Sequence, residues 1–296
     1  MVAELKFLLN QLEELFNIHV SFHKGGVLTM VKRMIALFFV GIFMFSANSC
    51  KAQEEDEFGS VETKTEAAPT AVTPAAAEEK IDSPATIKGK ITFDGQKPTP
   101  KEIKMDADPN CAALHTEPAF RKDALVAEDG SFANVFVYVK KGLEGKSFAV
   151  PTEPVKFDQH GCEYEPRVFG VRAGQPVEII NSDPTLHNVH AMAENNEDFN
   201  IGMPVKGMKL KKTFNKPELM VKIVCDVHPW MNGFAGVMEH PYFFTTGKDG
   251  AFQLANLPPG DYVIAAWQEK LGEMTQDVKV GANETKEVNF VFTRKE

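Results

Sequence analysis

The chain has 296 residues, 43% of them hydrophobic, and a formal net charge of −9 at pH 7. It is long enough for one large domain or two small domains, each with its own hydrophobic core. The acidic balance argues against nucleic acid as a partner. From Ile87 onward, short alternating segments broken by Gly, Pro and Asp-Gly turns predict an all-β protein.

The N-terminal region contains a secretion signal that starts inside the chain. A charged start precedes an apolar run over residues 34–47, which is too short to span a bilayer comfortably and suits the core of a signal peptide. We therefore predict a signal peptide over residues 30–49. On this hypothesis translation starts at Met30, and residues 1–29 are a mis-called upstream extension.

A cysteine stands directly after this signal. Small residues precede Cys50, which resembles a bacterial lipoprotein signal with Cys50 as the lipid-modified first residue; an ordinary cleaved signal is the alternative. Residues 50–84 are rich in Glu, Ala, Thr and Pro, so we expect a disordered tether. The predicted location is the periplasm, with a lipid anchor in a bacterial membrane and the outer membrane preferred.

A His-Asn-Val-His sequence follows the first strongly predicted strand of the central region. Pro176–Asn181 alternates as a strand, and a loop leads from it to His187. Because residues three apart on a strand face opposite sides, His187 and His190 are not expected to bind one ion together. We assign His187 to a metal site and His190 to packing or hydrogen bonding. Asn188 is expected to hydrogen-bond across to a second loop and support the ligands.

That second loop joins two predicted strands, residues 219–224 and 233–238. Cys225, His228 and Met231 stand three residues apart on it. Imidazoles, one thiolate and one weak thioether are the ligand types of a mononuclear blue-copper (type 1) electron-transfer site. The sequence therefore predicts a copper site at this loop.

Residues 174–238 resemble a cupredoxin, a Greek-key β-sandwich, and resemble amicyanin most in their His-Asn-Val-His and Cys-x-x-His-Pro-x-Met sequences. We expect the whole cupredoxin domain to cover residues 150–240. The copper ligands implied by this resemblance are His187, Cys225, His228 and Met231. The resemblance also implies that electrons leave through the imidazole edge of His228. A candidate apolar docking patch consists of Pro229, Trp230 and Phe234, with core packing as the alternative for Trp230.

Residues 241–296 resemble a carboxypeptidase regulatory-like (transthyretin-like) β-sandwich in their Asp-Gly-x-Phe and Pro-Pro-Gly-x-Tyr sequences. The Asp249-Gly250 pair predicts a hairpin turn. We expect residues 85–149 to contribute strands to this sandwich, so that the cupredoxin is inserted into it. The combined arrangement resembles bacterial methylamine-utilisation-type proteins.

Two cysteines remain once Cys50 is given to lipid and Cys225 to copper. Cys111 and Cys162 would most simply form a disulfide in an exported, oxidising compartment. The alternatives are a second metal site that also uses nearby histidines, and two free buried thiols.

The functional prediction is a non-enzymatic carrier of single electrons between redox partners in the cell envelope. Copper delivery or buffering is one alternative, and it expects an exposed site with Met203 or Met208 close to the metal. A structural or glycan-binding β-sandwich lipoprotein with a vestigial site is another, and it expects ligands that do not converge. No Ser–His–Asp set, phosphate loop or paired catalytic carboxylates stand out in the sequence.

Overall fold

The structure is a computed structural model that describes residues 81–294. The predicted upstream extension, the signal peptide, lipidation at Cys50 and most of the tether lie outside these residues. The last tether residues do not: Ile81 packs against a hydrophobic core, and the Ser83 carbonyl accepts a hydrogen bond from the Asn283 N–H at 3.2 Å. The folded part thus begins a few residues before the predicted boundary at 84.

Strands dominate the described residues, as the alternating patterns predict. β1 shows the reason: Ala85, Ile87, Ile91 and Phe93 are buried, while polar residues between them face outward. The strands are β1 (Ala85–Asp94), β2 (Phe136–Lys141), β3 (Val155–His160), β4 (Glu163–Glu165), β5 (Val168–Arg172), β6 (Pro176–Asn181), β7 (His187–Met192), β8 (Phe199–Met203), β9 (Lys209–Thr213), β10 (Glu218–Val224), β11 (Asn232–Met238), β12 (Phe243–Thr245), β13 (Ala251–Leu257), β14 (Gly260–Gln268), β15 (Gly272–Val280), β16 (Thr285–Glu287) and β17 (Phe290–Thr293). One short helix, α1 (Pro109–Ala113), precedes β2. No helix among residues 81–294 is long and apolar enough to cross a membrane.

The first sandwich is built from both ends of the described chain. One sheet has the order β13-β1-β16, with β17 also paired to β1, and the other has the order β12-β2-β14-β15. One apolar core draws on both sheets and includes Phe132, Val137, Ile264 and Phe290. Because β1 pairs directly with strands of residues 251–293, the chain leaves this sandwich after β2 and returns at β12, which is the arrangement that an inserted domain requires.

The second sandwich holds the strands between these two crossings. Its sheets have the orders β4-β3-β6-β9 and β5-β11-β10-β7-β8, and its core lies between them. β10 and β11 pair antiparallel, so the loop over residues 225–231 joins neighbouring strands as predicted. β7 pairs with the other edge of β10, which brings the start of β7 beside this loop.

Two expectations about the first sandwich are corrected. Residues 103–119 pack on the second sandwich instead of the first: Ile103, Met105 and Cys111 are buried in the core of the second sandwich. The Asp249-Gly250 pair forms a turn, but it is no hairpin, because β12 pairs with β2 and β13 pairs with β1 in the other sheet. Gly250 has φ +68° and an added Cβ would lie 2.4 Å from the Ile91 carbonyl oxygen, so this corner needs glycine.

A third apolar cluster and one buried cation join the two sandwiches. Phe136 and Phe243 of the first sandwich pack with Val168 and Met238 of the second. Arg172, at the end of β5, is 2% exposed and donates hydrogen bonds to the carbonyls of Phe148, Ala149 and Glu239. These carbonyls lie on the two chain crossings, so Arg172 ties both crossings to the second sandwich.

Candidate metal centre

The loop after β10 is closed by its own backbone. The Cys225 N–H donates to the Met231 carbonyl at 3.2 Å, and the Met231 N–H donates to the His228 carbonyl at 2.9 Å. These bonds fold the loop so that Cys225 and His228 both point inward, where they are 2% exposed. His187, the first residue of β7, is fully buried beside them.

Three side chains converge at this point. The Nδ1 atoms of His187 and His228 are 2.9 Å apart, and the Cys225 Sγ lies 3.8 Å from the His228 Nδ1. All three ligand atoms lie within 4.8 Å of one another. Two imidazole nitrogens and a thiol sulfur therefore face a common point inside the second sandwich.

The Nε2 atom of each imidazole, on the side of the ring away from the thiol, hydrogen-bonds to a carboxylate. The His187 Nε2 lies 2.9 Å from an Asp183 oxygen, and the His228 Nε2 lies 2.9 Å from an Asp108 oxygen. Since a carboxylate can only accept, each Nε2 must carry the donated proton. Each ring therefore turns its Nδ1 toward the thiol as the nitrogen available for a metal.

The two carboxylates each accept a hydrogen bond from the backbone N–H of a cysteine. Asp108 caps α1 and accepts from the Cys111 N–H at 3.4 Å, while Asp183 accepts from the Cys162 N–H at 2.7 Å. Cys111 and Cys162 are joined in a disulfide with a Cα–Cα distance of 5.6 Å. The disulfide therefore links the supports of both carboxylates.

The electrostatics of the cluster favour a thiolate. Burial opposes ionisation of Cys225, but hydrogen bonds from His187 and His228 outweigh it and bring the pKa of the thiol to about 6. Burial lowers the pKa of His187, but the bond to Asp183 and the nearby Cys225 raise it overall to about 9. Burial alone would raise the pKa of the Asp108 carboxyl. Its hydrogen bonds to His228 and to backbone N–H groups have the larger effect and lower that pKa to about 2. At neutral pH the metal-free site thus holds a thiolate beside an imidazolium, and a cation can replace the extra proton.

Asn188 connects the two ligand-bearing segments. Its side-chain oxygen accepts from the Asp226 N–H at 2.6 Å, and its side-chain nitrogen donates to the Asn200 oxygen at 2.6 Å. Its own N–H points to the Cys225 Sγ at 3.5 Å. This is the cross-loop support that the sequence predicts for Asn188.

The neighbouring histidine faces away from the cluster. His190 is partly exposed and lies near the carboxylates of Asp198 and Asp226, at 3.5 and 3.3 Å. Met231 is buried on the ligand loop at 1% exposure. Met203 is also buried, but its sulfur accepts a hydrogen bond from the Gln159 side chain at 3.0 Å, which gives it a packing role.

The residues expected at the electron exit and in its apolar patch are mostly covered, contrary to the exposed surface that a docking patch requires. The His228 ring is buried because Asp108 and the disulfide cover its Nε2 edge, with the Cys111 sulfur at 3.5 Å. Trp230 packs against the second core and donates from Nε1 to the Cys162 carbonyl at 3.0 Å. Phe234 contacts Trp267 in the cluster between the sandwiches, with ring centroids 5.1 Å apart. Of the three predicted patch residues only Pro229 is exposed.

Sequence reasoning did not assign Asp108 and Asp183. An Asp-Pro pair before a short segment is an N-cap signal, so α1 could have been predicted from Asp108 and Pro109. The contact between Asp108 and His228, however, joins residues 120 positions apart, and sequence spacing cannot predict such a contact. Asp183 stands four residues before His187, but in an irregular loop that separation fixes no contact.

No protein-family model and no curated protein matches the chain. Its neighbours among solved structures are cupredoxins. A copper-containing nitrite reductase from Thermus scotoductus SA-01 is 25% identical, with a TM-score of 0.29, over 35% of this chain and 25% of the reductase, so this chain spans a quarter of that protein. A purple cupredoxin from Nitrosopumilus maritimus is 21% identical, with a TM-score of 0.25, over 28% of this chain and 99% of that one. An oxidised amicyanin variant is 26% identical, with a TM-score of 0.26, over 29% of this chain and 82% of that one. Because these TM-scores are low, the function proposed below rests on the side-chain geometry.

Proposed function

We propose that this chain is a type 1 copper protein that carries single electrons between redox partners. The observation that carries the proposal is the buried cluster of His187, Cys225 and His228, whose three ligand atoms lie within 4.8 Å of one another. Two imidazole nitrogens with one thiolate are the strong ligands of blue-copper sites. Met231, buried on the same loop, is the proposed weak fourth ligand.

The donor set fits copper in both oxidation states. Bound copper supplies one-electron chemistry between the +1 and +2 states, and mixed nitrogen and sulfur ligands serve both. The chain's own contribution is a fixed set of ligands. Carboxylates hold both imidazoles, and two backbone hydrogen bonds close the ligand loop. Such a site changes little when an electron arrives or leaves.

The burial of the cluster supports electron transfer over copper delivery. Delivery favours an exchangeable site, whereas His187, Cys225 and His228 are each at most 2% exposed. The convergence of these side chains also weighs against a vestigial site. We further propose, from the sequence alone, a cell-envelope location, a lipid anchor on Cys50, and protein redox partners; no enzymatic activity and no nucleic-acid partner is part of the proposal.

The test is a visible absorption and electron paramagnetic resonance spectrum of the full chain with Cu(II). We expect an intense thiolate-to-copper charge-transfer band with narrow copper hyperfine splitting. Cys225→Ser and His187→Gln should abolish the band. His190→Gln is the matched control, because His190 belongs to the same sequence motif but faces away, and it should retain the band.

Each other outcome contradicts the proposal. Tight Cu(I) binding without a charge-transfer band for Cu(II) would replace electron transfer with copper handling. If neither Cu(I) nor Cu(II) bound, the alternative of a structural or glycan-binding β-sandwich with a vestigial site would replace the proposal. Loss of the band in His190→Gln, with retention in His187→Gln, would show that the wrong histidine is assigned.

A further inference from the structure

Asp108 belongs to a segment that the sequence places outside the copper domain. It caps α1, and its Oδ1 accepts from the Asn110 N–H at 2.8 Å. Its Oδ2 accepts from the Thr185 hydroxyl at 3.0 Å and from the His228 Nε2 at 2.9 Å. The carboxylate is thus fixed from both ends before it meets the imidazole.

The segment around α1 also closes the site from solvent. His228 is 2% exposed, and the Cys111 sulfur lies 3.5 Å from its Nε2. The disulfide to Cys162 anchors α1 to the loop between β3 and β4, which in turn supports Asp183. The disulfide therefore holds α1, which Asp108 caps, beside His228.

A carboxylate that accepts from the outer nitrogen of a metal-bound imidazole has two effects. It fixes the tautomer and the orientation of the ring, and it makes the inner nitrogen a stronger donor. A stronger nitrogen donor stabilises Cu(II) more than Cu(I), because the more highly charged ion gains more from it. The reduction potential of the centre then falls.

We propose that Asp108 is a positioning residue that lowers the reduction potential of the copper centre through His228, and that the Cys111–Cys162 disulfide keeps it in place. This inference rests on the proposed type 1 copper site. It adds residues 103–119, which pack on the second sandwich, to the functional unit. It also assigns the disulfide a part in redox tuning as well as in stability.

The experiment compares reduction potentials of the copper-loaded full chain by spectroelectrochemistry. Asp108→Asn keeps a good N-cap and similar shape but removes the charge. Loss of such an outer partner typically weakens metal affinity about 10- to 100-fold. If Cu(II) alone is affected, the potential rises by about 60 to 120 mV, since a tenfold change for one electron is about 59 mV.

The matched control is Asp226→Asn. Asp226 also carries a carboxylate, on the ligand loop itself, but this carboxylate accepts from Asn200 and Asn188 and not from a ligand imidazole. It should therefore shift the potential clearly less than Asp108→Asn does. Equal shifts would mean that only the local charge matters, and the proposed positioning role would be wrong.

A double variant tests the disulfide. Cys111→Ser with Cys162→Ser should raise the potential in the same direction as Asp108→Asn. In the Asp108→Asn background it should add almost nothing, because both changes act on one contact. Additive shifts would separate the disulfide from Asp108 and overturn that half of the inference.

A metal-free measurement separates failure of this inference from failure of the copper assignment. In nitrogen-15 NMR of the apo protein, we expect a strongly hydrogen-bonded Nε2–H on His228, weakened in Asp108→Asn and retained in Asp226→Asn. A chain that shows this signal but binds no copper would refute the proposed function while keeping the contact. A chain that binds copper but lacks the signal would refute the role of Asp108.

Discussion

The two sandwiches differ in the polar side chains that they bury. Among the described residues, the polar residues of the first sandwich that are buried as a whole are uncharged: Ser131, Thr246 and Gln268. Glu269, whose side chain is 8% exposed, pairs with Arg167 of the second sandwich. The second sandwich also buries acidic and basic side chains, namely Arg172, Asp183, His187, Glu218 and His228. Burying an ionisable group costs free energy unless it is paired, and the second sandwich gives these groups hydrogen-bond partners, such as Asp183 for His187 and Asp108 for His228.

These buried ionisable groups fall into two kinds. Glu218 accepts backbone N–H bonds from Glu194 and Asn195, and Arg172 donates to carbonyls at the chain crossings, so both hold irregular backbone in place. His187 and His228 instead meet each other and the Cys225 thiol. The comparison teaches that the candidate metal centre is distinguished by ionisable groups that converge on one another, and not by burial alone.

The largest expected effect comes from the core of the first sandwich. Phe132 is fully buried and makes edge contacts with Phe93 and Phe292 at centroid distances of 5.8 Å. Phe132→Ala should lower the free energy of unfolding by about 3–5 kcal/mol, measured by urea denaturation, because it removes an aromatic ring and leaves a cavity. Phe132→Leu should cost clearly less.

The same variant tests whether the sandwiches have separate roles. Under conditions where Phe132→Ala is fully folded, the charge-transfer band of the copper-loaded chain should match that of the wild type. A shifted or weakened band would show that the first sandwich shapes the metal centre, and the division drawn here would not hold.

The junction between the sandwiches should make stability depend on pH. His240 donates from Nε2 to the Val139 carbonyl at 2.8 Å and accepts from the Tyr242 N–H at 3.2 Å, so it fits only as the neutral ring. Burial, aided by the charge of Arg172, lowers the pKa of His240 from 6.5 to about 4. Between these values the unfolded chain binds more protons than the folded chain, so stability falls as pH falls.

His240→Gln tests this dependence. From pH 7 to pH 4 the wild type should lose about 3 kcal/mol through His240 beyond what the variant loses, measured as the difference between their unfolding free energies. The other titrating groups are common to both proteins and cancel in the difference. Parallel pH profiles for the two proteins would show that His240 is not held neutral.

Local sequence patterns predict the strands and the close approach of Cys225 and His228 on one loop, since both depend on short spacings. β6 covers Pro176–Asn181 as expected, and alternation along β7 separates buried His187 from partly exposed His190. Which strands pair with each other was harder to predict from the sequence. The Asp249-Gly250 turn gave no information on which sheet each flanking strand would join.

The outer part of the site could not be predicted because it depends on contacts far apart in sequence. Asp108 reaches His228 from 120 residues away, on a segment that the disulfide and the buried Ile103 and Met105 hold against the second sandwich. Phe234 looked available for docking because a strand pattern shows which face a residue occupies but not what covers that face. The first sandwich covers it with Trp267.

The smallest expected effect concerns Asn188, which links β7 to the ligand loop. It tests whether this amide, as well as the carboxylates and the disulfide, holds the ligand side chains in place. Asn188 is 6% exposed and is the side-chain acceptor for the Asp226 N–H at 2.6 Å. Asn188→Ala leaves that donor without its partner and should cost about 1–3 kcal/mol of stability. Asn200→Ala is the control: it removes a partner of the same network, but from an exposed residue, so we expect a change in the free energy of unfolding within about 0.5 kcal/mol.

Cu(II) binding by the same two variants tests whether Asn188 positions the ligand loop. If it does, Asn188→Ala should also weaken Cu(II) binding, while Asn200→Ala binds Cu(II) as the wild type does. Equal binding by both variants would show that the disulfide and the two carboxylates hold the ligands without help from Asn188.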